Sequence, residues 1–289
     1  MNTFTEIMPR RSLLAMLPAL LTACSGADLL NATVSTDSYR RIEALAYGAG
    51  PRQLLDVYQP PGELRNVPMV VFFYGGSWSS GERGDYRFVG EALASTGIVA
   101  LVADYRLSPA FRYPAFVEDS ASAVRWAFEH AAQFGADARR IFVMGHSAGA
   151  YNAAMVALDV RWLAAVGLAP ARLAGWIGLA GPYDFLPIGD AQTQVAFNWP
   201  QTSADSQPMT HASKASPPAL LLAASNDSLV SPQRSTVALA RRLQASGVRV
   251  ESELFDGVSH VTLLASMAQV LRSRAPVLER VAGFVQSAV

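Results

Sequence analysis

The chain has 289 residues, of which 51% are hydrophobic and 16% are charged. This composition predicts one large globular domain with a substantial core, since single α/β domains often reach this length. The 23 basic and 23 acidic residues balance, so no strong positive field favours nucleic acid, and we expect no nucleic-acid partner.

The N-terminal segment has the pattern of a bacterial export signal. Arg10 and Arg11 precede an apolar stretch, 12–23, that is too short to span a bilayer as a permanent helix. The sequence Leu-Thr-Ala-Cys follows at 21–24, and Cys24 is the only cysteine of the chain. This ending resembles the lipobox of bacterial lipoproteins, whose cysteine is acylated and becomes the mature N-terminus.

We therefore predict a signal peptide at 1–23 and a lipid attached to Cys24, which would hold the protein at the periplasmic face of a bacterial membrane. The alternative is ordinary signal cleavage after 25–27, where small residues also occur, giving a soluble periplasmic or secreted protein. Residues 24–38 are rich in Ser, Thr, Asn and Ala. This composition predicts a lipid-anchored tether, followed by the folded domain at 39–289.

Predicted strands and helices alternate from residue 39 onward. Strand patterns occur at 41–48, 53–60, 69–74, 97–105, 140–145, 173–181, 218–225 and 248–255. Helical patterns occur at 86–95, 116–134, 148–158, 231–247 and 276–287. The first two strands are joined through Gly48-Ala49-Gly50-Pro51, which favours a hairpin. The alternation predicts an α/β fold with a mostly parallel central sheet of about eight strands and helices on both faces.

One stretch, 185–217, interrupts this alternation. It is rich in Gln, Ser, Thr and Pro, contains Phe197 and Trp199, and is longer than ordinary connections. We interpret it as either a small lid or an irregular surface loop.

The sequence Gly-His-Ser-Ala-Gly at 145–149 lies between a predicted strand and a predicted helix. The pattern G-x-S-x-G is a weak signal alone, but in this setting it predicts a sharp turn that presents Ser147 above the sheet. Serine is a poor nucleophile unless a base takes its proton, so a histidine and an orienting carboxylate are required. In this architecture the acid follows the serine and the histidine follows the acid.

The base can be identified by elimination among the four histidines of the chain. His146 lies in the turn itself, His130 lies on a predicted helix, and His211 precedes the candidate acids near the end of the sheet. His260 directly follows the last predicted strand, where a loop returns over the strand ends. We therefore predict His260 as the base.

Three aspartates are candidates for the carboxylate that orients the base. Asp227 directly follows the predicted strand 218–225, Asp256 is four residues before His260, and Asp184 ends another strand. The carboxylate has to meet the Nδ1 atom of the histidine from a separate loop, which favours Asp227. The other two are interpreted as turn or capping residues.

A glycine-rich loop, Tyr-Gly-Gly-Ser-Trp, begins at Tyr74 and ends at Trp78, after an apolar strand. An isolated Gly-Gly pair most often marks a tight turn. Acyl transfer, however, requires N–H donors for a tetrahedral oxyanion, namely the amide of Ala148 after the nucleophile and amides of a loop after an earlier strand. Because the serine, the acid and the base occur in order, we predict that this loop is part of an oxyanion hole.

Together the motifs resemble those of bacterial carboxylesterases of the α/β-hydrolase superfamily, the group with hormone-sensitive-lipase-like esterases and kynurenine formamidases. The resemblance extends from about Ile42 to the C-terminus, through LLDVYQP, FFYGGSW, DYRLSP, YPAFVEDSASAVRW, GHSAG, GPYDF, SNDSLV and SH. It implies oxyanion donors at the amides of Gly76, Ser77 and Ala148. The family's glycine loop usually begins with histidine; Tyr74 has that position here, and a phenol can donate and accept hydrogen bonds similarly.

These observations predict a serine hydrolase that cleaves small-molecule carboxylic esters without a cofactor or metal ion. Ser147 would attack, His260 would act as general base and then acid, and Asp227 would orient it. An amidase such as a formamidase uses the same triad and is the first alternative. A non-catalytic ligand-binding lipoprotein is the second, disfavoured because it has no need of all three residues. Trp78, a predicted substrate-binding residue, and the stretch 185–217 are expected to shape the pocket.

Overall fold

The computed structural model describes residues 26–287, in which the eight predicted strands form one sheet. The strands are β1 Arg40–Ala46, β2 Leu54–Gln59, β3 Val67–Phe73, β4 Val99–Ala103, β5 Ala136–His146, β6 Gly175–Leu179, β7 Ala219–Ala224 and β8 Val250–Phe255. Their order across the sheet is β1-β2-β4-β3-β5-β6-β7-β8. Strand β2 runs antiparallel to its neighbours β1 and β4, and the other neighbouring pairs are parallel. The predicted mostly parallel sheet is confirmed.

Helices cover both faces of the sheet, also as predicted. Those of the described residues are α1 Gly26–Ala32, α2 Arg87–Ala94, α3 Ala115–His130, α4 Ala148–Leu158, α5 Val160–Ala165, α6 Ala191–Ala196, α7 Ala238–Ala245, α8 His260–Ala265 and α9 Val277–Ser287. Helix α3 packs against α4 and helix α2 against α9, and each of these pairs also contacts strands. Between residues 26 and 287, no helix has both the length and the apolar character needed to cross a membrane.

The burial of each strand follows from its place in the sheet. Strands β4 and β7 are buried along their whole length, and β3 is buried from Pro68 to Phe73. Strands covered on both faces have such continuous apolar sequences. Strand β8 lies at the edge of the sheet and is only partly buried, which suits its alternation of apolar and polar residues.

Two predicted helices differ from the structure at their ends. The helix predicted over 116–134 leaves α-helical geometry after His130, continues as a 3₁₀ helix, Ala131–Phe134, and is closed by Gly135 at φ 70°. The helix predicted from Ser231 begins with a π-helical turn, Gln233–Val237, before α7. A glycine that adopts a left-handed conformation is a common end of a helix.

The segment predicted as a tether is partly folded against the domain. Helix α1 packs against the 3₁₀ turn Arg83–Tyr86 and against α2. The side-chain amide of Asn31 donates to the carbonyl oxygens of Gly84 (2.9 Å) and Asp85 (3.1 Å), and its oxygen accepts from the N–H of Phe88 (3.1 Å). The structure therefore replaces part of the predicted tether by a docked helix.

Polar residues of the predicted tether, whose composition suggested a solvated segment, form some of these contacts. Beyond α1, the hydroxyl of Ser38 donates to Glu91 of α2 at 2.9 Å. The predicted signal peptide, 1–23, and the predicted lipid-attachment residue Cys24 lie outside the described residues.

The stretch 185–217 contains helix α6 and two 3₁₀ helices, Ala204–Ser206 and Pro208–His211. It is fastened to the body of the domain by polar contacts. The hydroxyl of Tyr151, on α4, donates to the carbonyl oxygen of Ser206 at 2.7 Å, and the N–H of Tyr113, just before α3, donates to the carbonyl oxygen of Ala196 at 2.8 Å. The stretch is therefore an irregular but packed part of the domain.

Candidate active site

The turn at 145–149 has the strand–turn–helix geometry that the sequence predicted. Strand β5 ends at His146 and helix α4 begins at Ala148, so that only Ser147 lies between them. Ser147 has φ 55° and ψ −121°, a strained conformation for a residue other than glycine. Glycines are needed beside it, because a Cβ atom on Gly145 would lie 2.1 Å from the carbonyl oxygen of Gly149.

His260 and Asp227 come from the loops after β8 and β7 and contact each other. The Nδ1 atom of His260 lies 2.6 Å from Oδ2 of Asp227. The other carboxylate oxygen, Oδ1, accepts hydrogen bonds from the N–H groups of Leu229 (2.8 Å) and Val230 (2.9 Å). One oxygen is thus fixed by the backbone, and the second is directed at the imidazole.

These contacts also fix the charge of Asp227 and the tautomer of His260. Burial alone would raise the pKa of Asp227, but the hydrogen bond with His260 and the two backbone N–H groups outweigh it, so the pKa lies below its usual value. An ionised carboxylate beside Nδ1 keeps the proton of the neutral imidazole on that atom. The Nε2 atom of His260 is then free to accept a proton.

Ser147 and His260 line the same cavity, which has a volume of about 450 Å³. Its wall also includes Ala148, Ser77 and Trp78, so the structure brings most of the predicted site residues together. Gly76 directly precedes Ser77 on the same loop, and Asp227 lies behind His260.

The glycine loop lies close to the nucleophile. A Cβ atom on Gly75 would be 3.0 Å from Cβ of Ser147, and one on Gly76 would be 2.4 Å from the carbonyl oxygen of Ser80. Gly76 has φ 124° and Ser77 has φ 49°. The close approach and the positive φ at Gly76 both require glycine, which explains why the strand β3 is followed by two glycines.

Tyr74, the first residue of this loop, is held in place through a buried polar network. Its hydroxyl donates to Asp104 at 2.7 Å and accepts from the guanidinium of Arg52 at 2.6 Å. Arg83 connects Asp104 (2.6 Å) with Asp56 (2.8 Å). The phenol thus both donates and accepts, as expected, whereas its partners were not identified from the sequence.

The two rival aspartates have other partners. Asp256 accepts a hydrogen bond from the hydroxyl of Ser225, and Asp184 pairs with Arg234 at 3.1 Å. In the described part of the chain, Asp227 is the carboxylate that forms a hydrogen bond with His260. The choice of Asp227 from the sequence agrees with this geometry.

The other three histidines do not take the position of the base. His130 and His211 each form a hydrogen bond with a backbone carbonyl and do not line the cavity. His146 points away from the cavity, and its Nε2 atom lies 2.9 Å from the carbonyl oxygen of His260. The elimination made from the sequence therefore agrees with the structure, although it gave no partner for His146.

Trp78 forms a rigid wall of the cavity. Its side chain is 2% exposed, and its indole N–H donates to Oδ1 of Asn152 at 3.0 Å. Phe185 and Phe197, from the stretch 185–217, pack against it at ring distances of 6.0 and 4.8 Å. Aromatic packing of this kind fixes the indole in one orientation.

Several residues of the cavity wall were not singled out in the sequence. They are Pro182, Leu229, Val230, Ser231, Arg234 and Ser235, whereas Asp184, considered above only as a rival acid, also lines the wall. They flank two strands, β6 and β7, whose carboxyl ends face the site, and this position was the signal that could have indicated them. Among residues 26–287, no cluster of three or more His, Cys, Asp or Glu side chains is arranged to hold a metal ion.

Relatives with known names match large parts of the chain. The probable isoprenylcysteine alpha-carbonyl methylesterase ICMEL1 of Arabidopsis thaliana is 26% identical over 76% of this chain and 51% of its own length. The carboxylesterase NlhH of Mycobacterium tuberculosis is 45% identical over a shorter region, 36% of this chain and 33% of its own length. The chain thus spans about half of the first relative and a third of the second.

Solved structures show the same fold. A truncated carbohydrate esterase from gut microbiota has a TM-score of 0.75 at 16% identity, with 89% of this chain and 99% of that chain covered. The carboxylesterase EstE1 from a metagenomic library has a TM-score of 0.71 at 21% identity, with 91% and 94% covered. These likenesses agree with the eight-stranded sheet and show an α/β-hydrolase fold.

The family model named BD-FAE matches residues 55–243. This range begins in β2, includes the glycine loop, the turn at Ser147 and Asp227, and ends in α7. Since it is more than half of the 289 residues, the chain belongs to the BD-FAE family.

Proposed function

We propose that the protein is a serine hydrolase that cleaves carboxylic esters of small molecules. One observation carries the proposal: Ser147, in a strained turn, lines a cavity together with His260, whose Nδ1 atom is held by Asp227 at 2.6 Å. The names of the relatives, a methylesterase and a carboxylesterase, support ester hydrolysis.

In the proposed acylation, the hydroxyl of Ser147 attacks the ester carbonyl while its proton passes to Nε2 of His260. The carbonyl oxygen becomes an oxyanion, which accepts hydrogen bonds from the amides of Ala148, Ser77 and Gly76. When the tetrahedral intermediate collapses, the bond to the alcohol breaks and the alkoxide takes the proton from His260. The acyl group remains on Ser147.

In the proposed deacylation, water replaces the alcohol. His260 removes a proton from the water, whose oxygen attacks the acyl carbonyl at the same oxyanion site. Collapse of the second intermediate breaks the bond to Ser147, which recovers its proton from His260. Asp227 remains ionised throughout and stabilises the imidazolium that forms twice in the cycle.

Hydrolysis of p-nitrophenyl acetate by purified variants tests the proposal. Ser147→Ala and His260→Ala should each lower kcat by about 10³-fold or more, and the double variant should be no worse, because the residues act as a unit. Asp227→Asn should also lower kcat strongly. The matched control Asp256→Asn should retain most of the turnover. Substantial activity in the Ser147→Ala variant would contradict the assignment, and a strong loss in the control would show that the acid is misassigned.

We further propose that the protein is exported and attached to a membrane by acylation of Cys24. The support is in the sequence, where an apolar stretch after two arginines ends at this single cysteine. Helix α1, Gly26–Ala32, which packs on the domain, follows Cys24 in the sequence. More than one acyl chain is needed for firm anchoring.

Membrane fractionation and labelling with a radioactive fatty acid test this anchor. Wild type should sediment with membranes and carry the label, whereas Cys24→Ser should do neither. Wild-type protein found wholly in the soluble periplasmic fraction would instead indicate cleavage after 25–27.

A further inference from the structure

His146 connects the two residues that exchange a proton in the proposed reaction. It directly precedes Ser147 in the chain, and its Nε2 atom lies 2.9 Å from the carbonyl oxygen of His260. The two imidazole rings are 4.9 Å apart, although the residues are 114 positions apart in the sequence. The side chain is almost fully buried, so this contact is shielded from water.

The same imidazole also contacts the glycine loop. A Cβ atom on Gly75 would lie 3.2 Å from Nδ1 of His146 and 3.3 Å from its carbonyl oxygen. The ring therefore lies beside the loop that carries the proposed oxyanion donors. One side chain is in contact with the segments of the nucleophile, the base and the oxyanion hole.

The direction of the hydrogen bond follows from its partner. A carbonyl oxygen only accepts, so Nε2 of His146 has to carry the proton. Burial, together with the neighbouring His260, lowers the pKa of His146 to about 3. The titratable groups that face it are His260, after β8, and Asp227, after β7. His146 is therefore a neutral donor across the pH range in which an esterase of this type works.

The other polar contacts near His260 lie within its own side of the site. Asp227 fixes the rotation of the ring through Nδ1, and Ser259 and Thr262 form a capping box at the start of α8. Neither contact relates helix α8 to the turn of the nucleophile. The bond from His146 does so directly, through the peptide link between His146 and Ser147.

We propose that His146 is a positioning residue for ester hydrolysis, whose Nε2–H holds the backbone of His260 so that its imidazole stays in line with the hydroxyl of Ser147. This inference rests on the proposed function. Misplacing a reacting group by about 1 Å can cost about 10²-fold in rate. The effect should therefore appear in kcat, because His146 does not line the cavity in which the ester binds.

A pair of variants of equal length tests the hydrogen bond itself. His146→Gln retains an N–H donor near the position of Nε2, whereas His146→Met has no donor. We expect His146→Met to lower kcat for p-nitrophenyl acetate by about 10-fold or more with KM nearly unchanged, and His146→Gln to remain within about 3-fold of wild type. The matched control His130→Met, which changes a histidine bonded to a backbone carbonyl on α3, should leave both constants unchanged.

Two kinetic outcomes would overturn the inference. One is a folded His146→Met enzyme with the kcat of wild type; the other is a His146→Gln enzyme as impaired as His146→Met, which would exclude a role for the donor. Either result, with Ser147→Ala inactive, leaves the proposed function intact. Turnover by Ser147→Ala would instead remove the proposed function.

The proton on Nε2 of His146 can also be tested by NMR on the wild type, which avoids the question of whether a variant folds. The ¹⁵N chemical shifts of the imidazole of His146 should show a neutral ring protonated at Nε2 between about pH 5 and pH 8, because its pKa lies at about 3. A neutral ring that carries its proton on Nδ1 and none on Nε2 would contradict the proposed hydrogen bond.

Discussion

Gly76 and Ser77 have different constraints at the proposed oxyanion hole. Both have positive φ, but a Cβ atom fits at Ser77, where one is present, and not at Gly76, where it would lie 2.4 Å from the carbonyl oxygen of Ser80. The backbone of Gly76 is thus specific to glycine. The proposed donor at Ser77 is the backbone amide, so the hydroxyl of its side chain is not needed for this hydrogen bond.

We predict that Gly76→Ala lowers kcat by about 10²-fold, the scale for losing one oxyanion donor. The added methyl group would have to displace the loop and its N–H groups. The matched variant Ser77→Ala retains both its Cβ atom and its amide, and should remain within a few-fold of wild type. Kinetics with p-nitrophenyl acetate, after melting temperatures have been compared, measure both. Near-normal kcat in a folded Gly76→Ala enzyme would place the oxyanion elsewhere.

The three residues of the candidate triad could be selected from the sequence because each follows a predicted strand and their order in the chain is restricted. The turn at Ser147 has a sequence pattern, and Asp227 and His260 each follow a strand of the expected kind. No sequence pattern indicated the hydrogen-bond partners of His146 and Arg52. Their partners, the carbonyl oxygen of His260 and the phenol of Tyr74, are defined only when distant segments come together in the fold.

At the scale of elements, helix α1 is connected to the glycine loop through a chain of contacts. Asn31 binds the backbone of the turn 83–86. Arg83, at the start of that turn, pairs with Asp104, which accepts a hydrogen bond from Tyr74 at the base of the loop. The docked helix therefore supports the network that braces the proposed oxyanion hole.

We predict that Asn31→Ala lowers the free energy of unfolding by about 1–3 kcal/mol, because the carbonyl and N–H groups of the turn lose their partly buried partners. Leu29→Ala is the control on the same helix. Leu29 is 62% exposed, and its change should be within about 0.5 kcal/mol of wild type. Urea unfolding measures both variants. Equal stabilities for Asn31→Ala and wild type would show that α1 is a tether after all.

The strands could be predicted because a short apolar run, in a chain that alternates strand and helix, most often forms a buried strand. The ends of helices were harder to predict. At His130, for example, the α-helix changes to a 3₁₀ helix although the apolar pattern continues. Helix α1 was missed because it is short and none of its seven residues is fully buried. Its stability depends on partners more than 50 residues away.

At the scale of the molecule, the order of strands explains how segments that follow four different strands meet at the candidate site. Strands β3 and β5 are neighbours, and β7 and β8 are neighbours at the edge. Parallel strands direct their carboxyl ends to one edge of the sheet, so the loops that follow these four strands meet there. His146, at the end of β5, reaches the loop after β8 and closes this arrangement.

The buried, neutral His146 should make the stability of the whole domain depend on pH. Its pKa is about 3 in the folded protein, whereas a solvent-exposed histidine, as in the unfolded chain, has a pKa of 6.5. Between these values the unfolded chain binds a proton that the folded protein does not. The free energy of unfolding therefore falls as the pH is lowered from about 6.5, by up to about 1.4 kcal/mol per pH unit for one group. Asp227, whose pKa is also lowered, adds to this loss only below its unfolded value of 3.8.

We predict that His146→Gln removes most of this dependence between pH 6.5 and pH 4.5, because glutamine does not titrate and retains the donor. Urea unfolding of wild type and variant at pH 7.5, 6.5, 5.5 and 4.5 measures the difference. The two curves should be parallel above pH 6.5 and should diverge below it, with wild type losing stability more steeply. Parallel curves over the whole range would mean that His146 takes up its proton in the folded protein as readily as in the unfolded chain, which would contradict an imidazole kept neutral by burial.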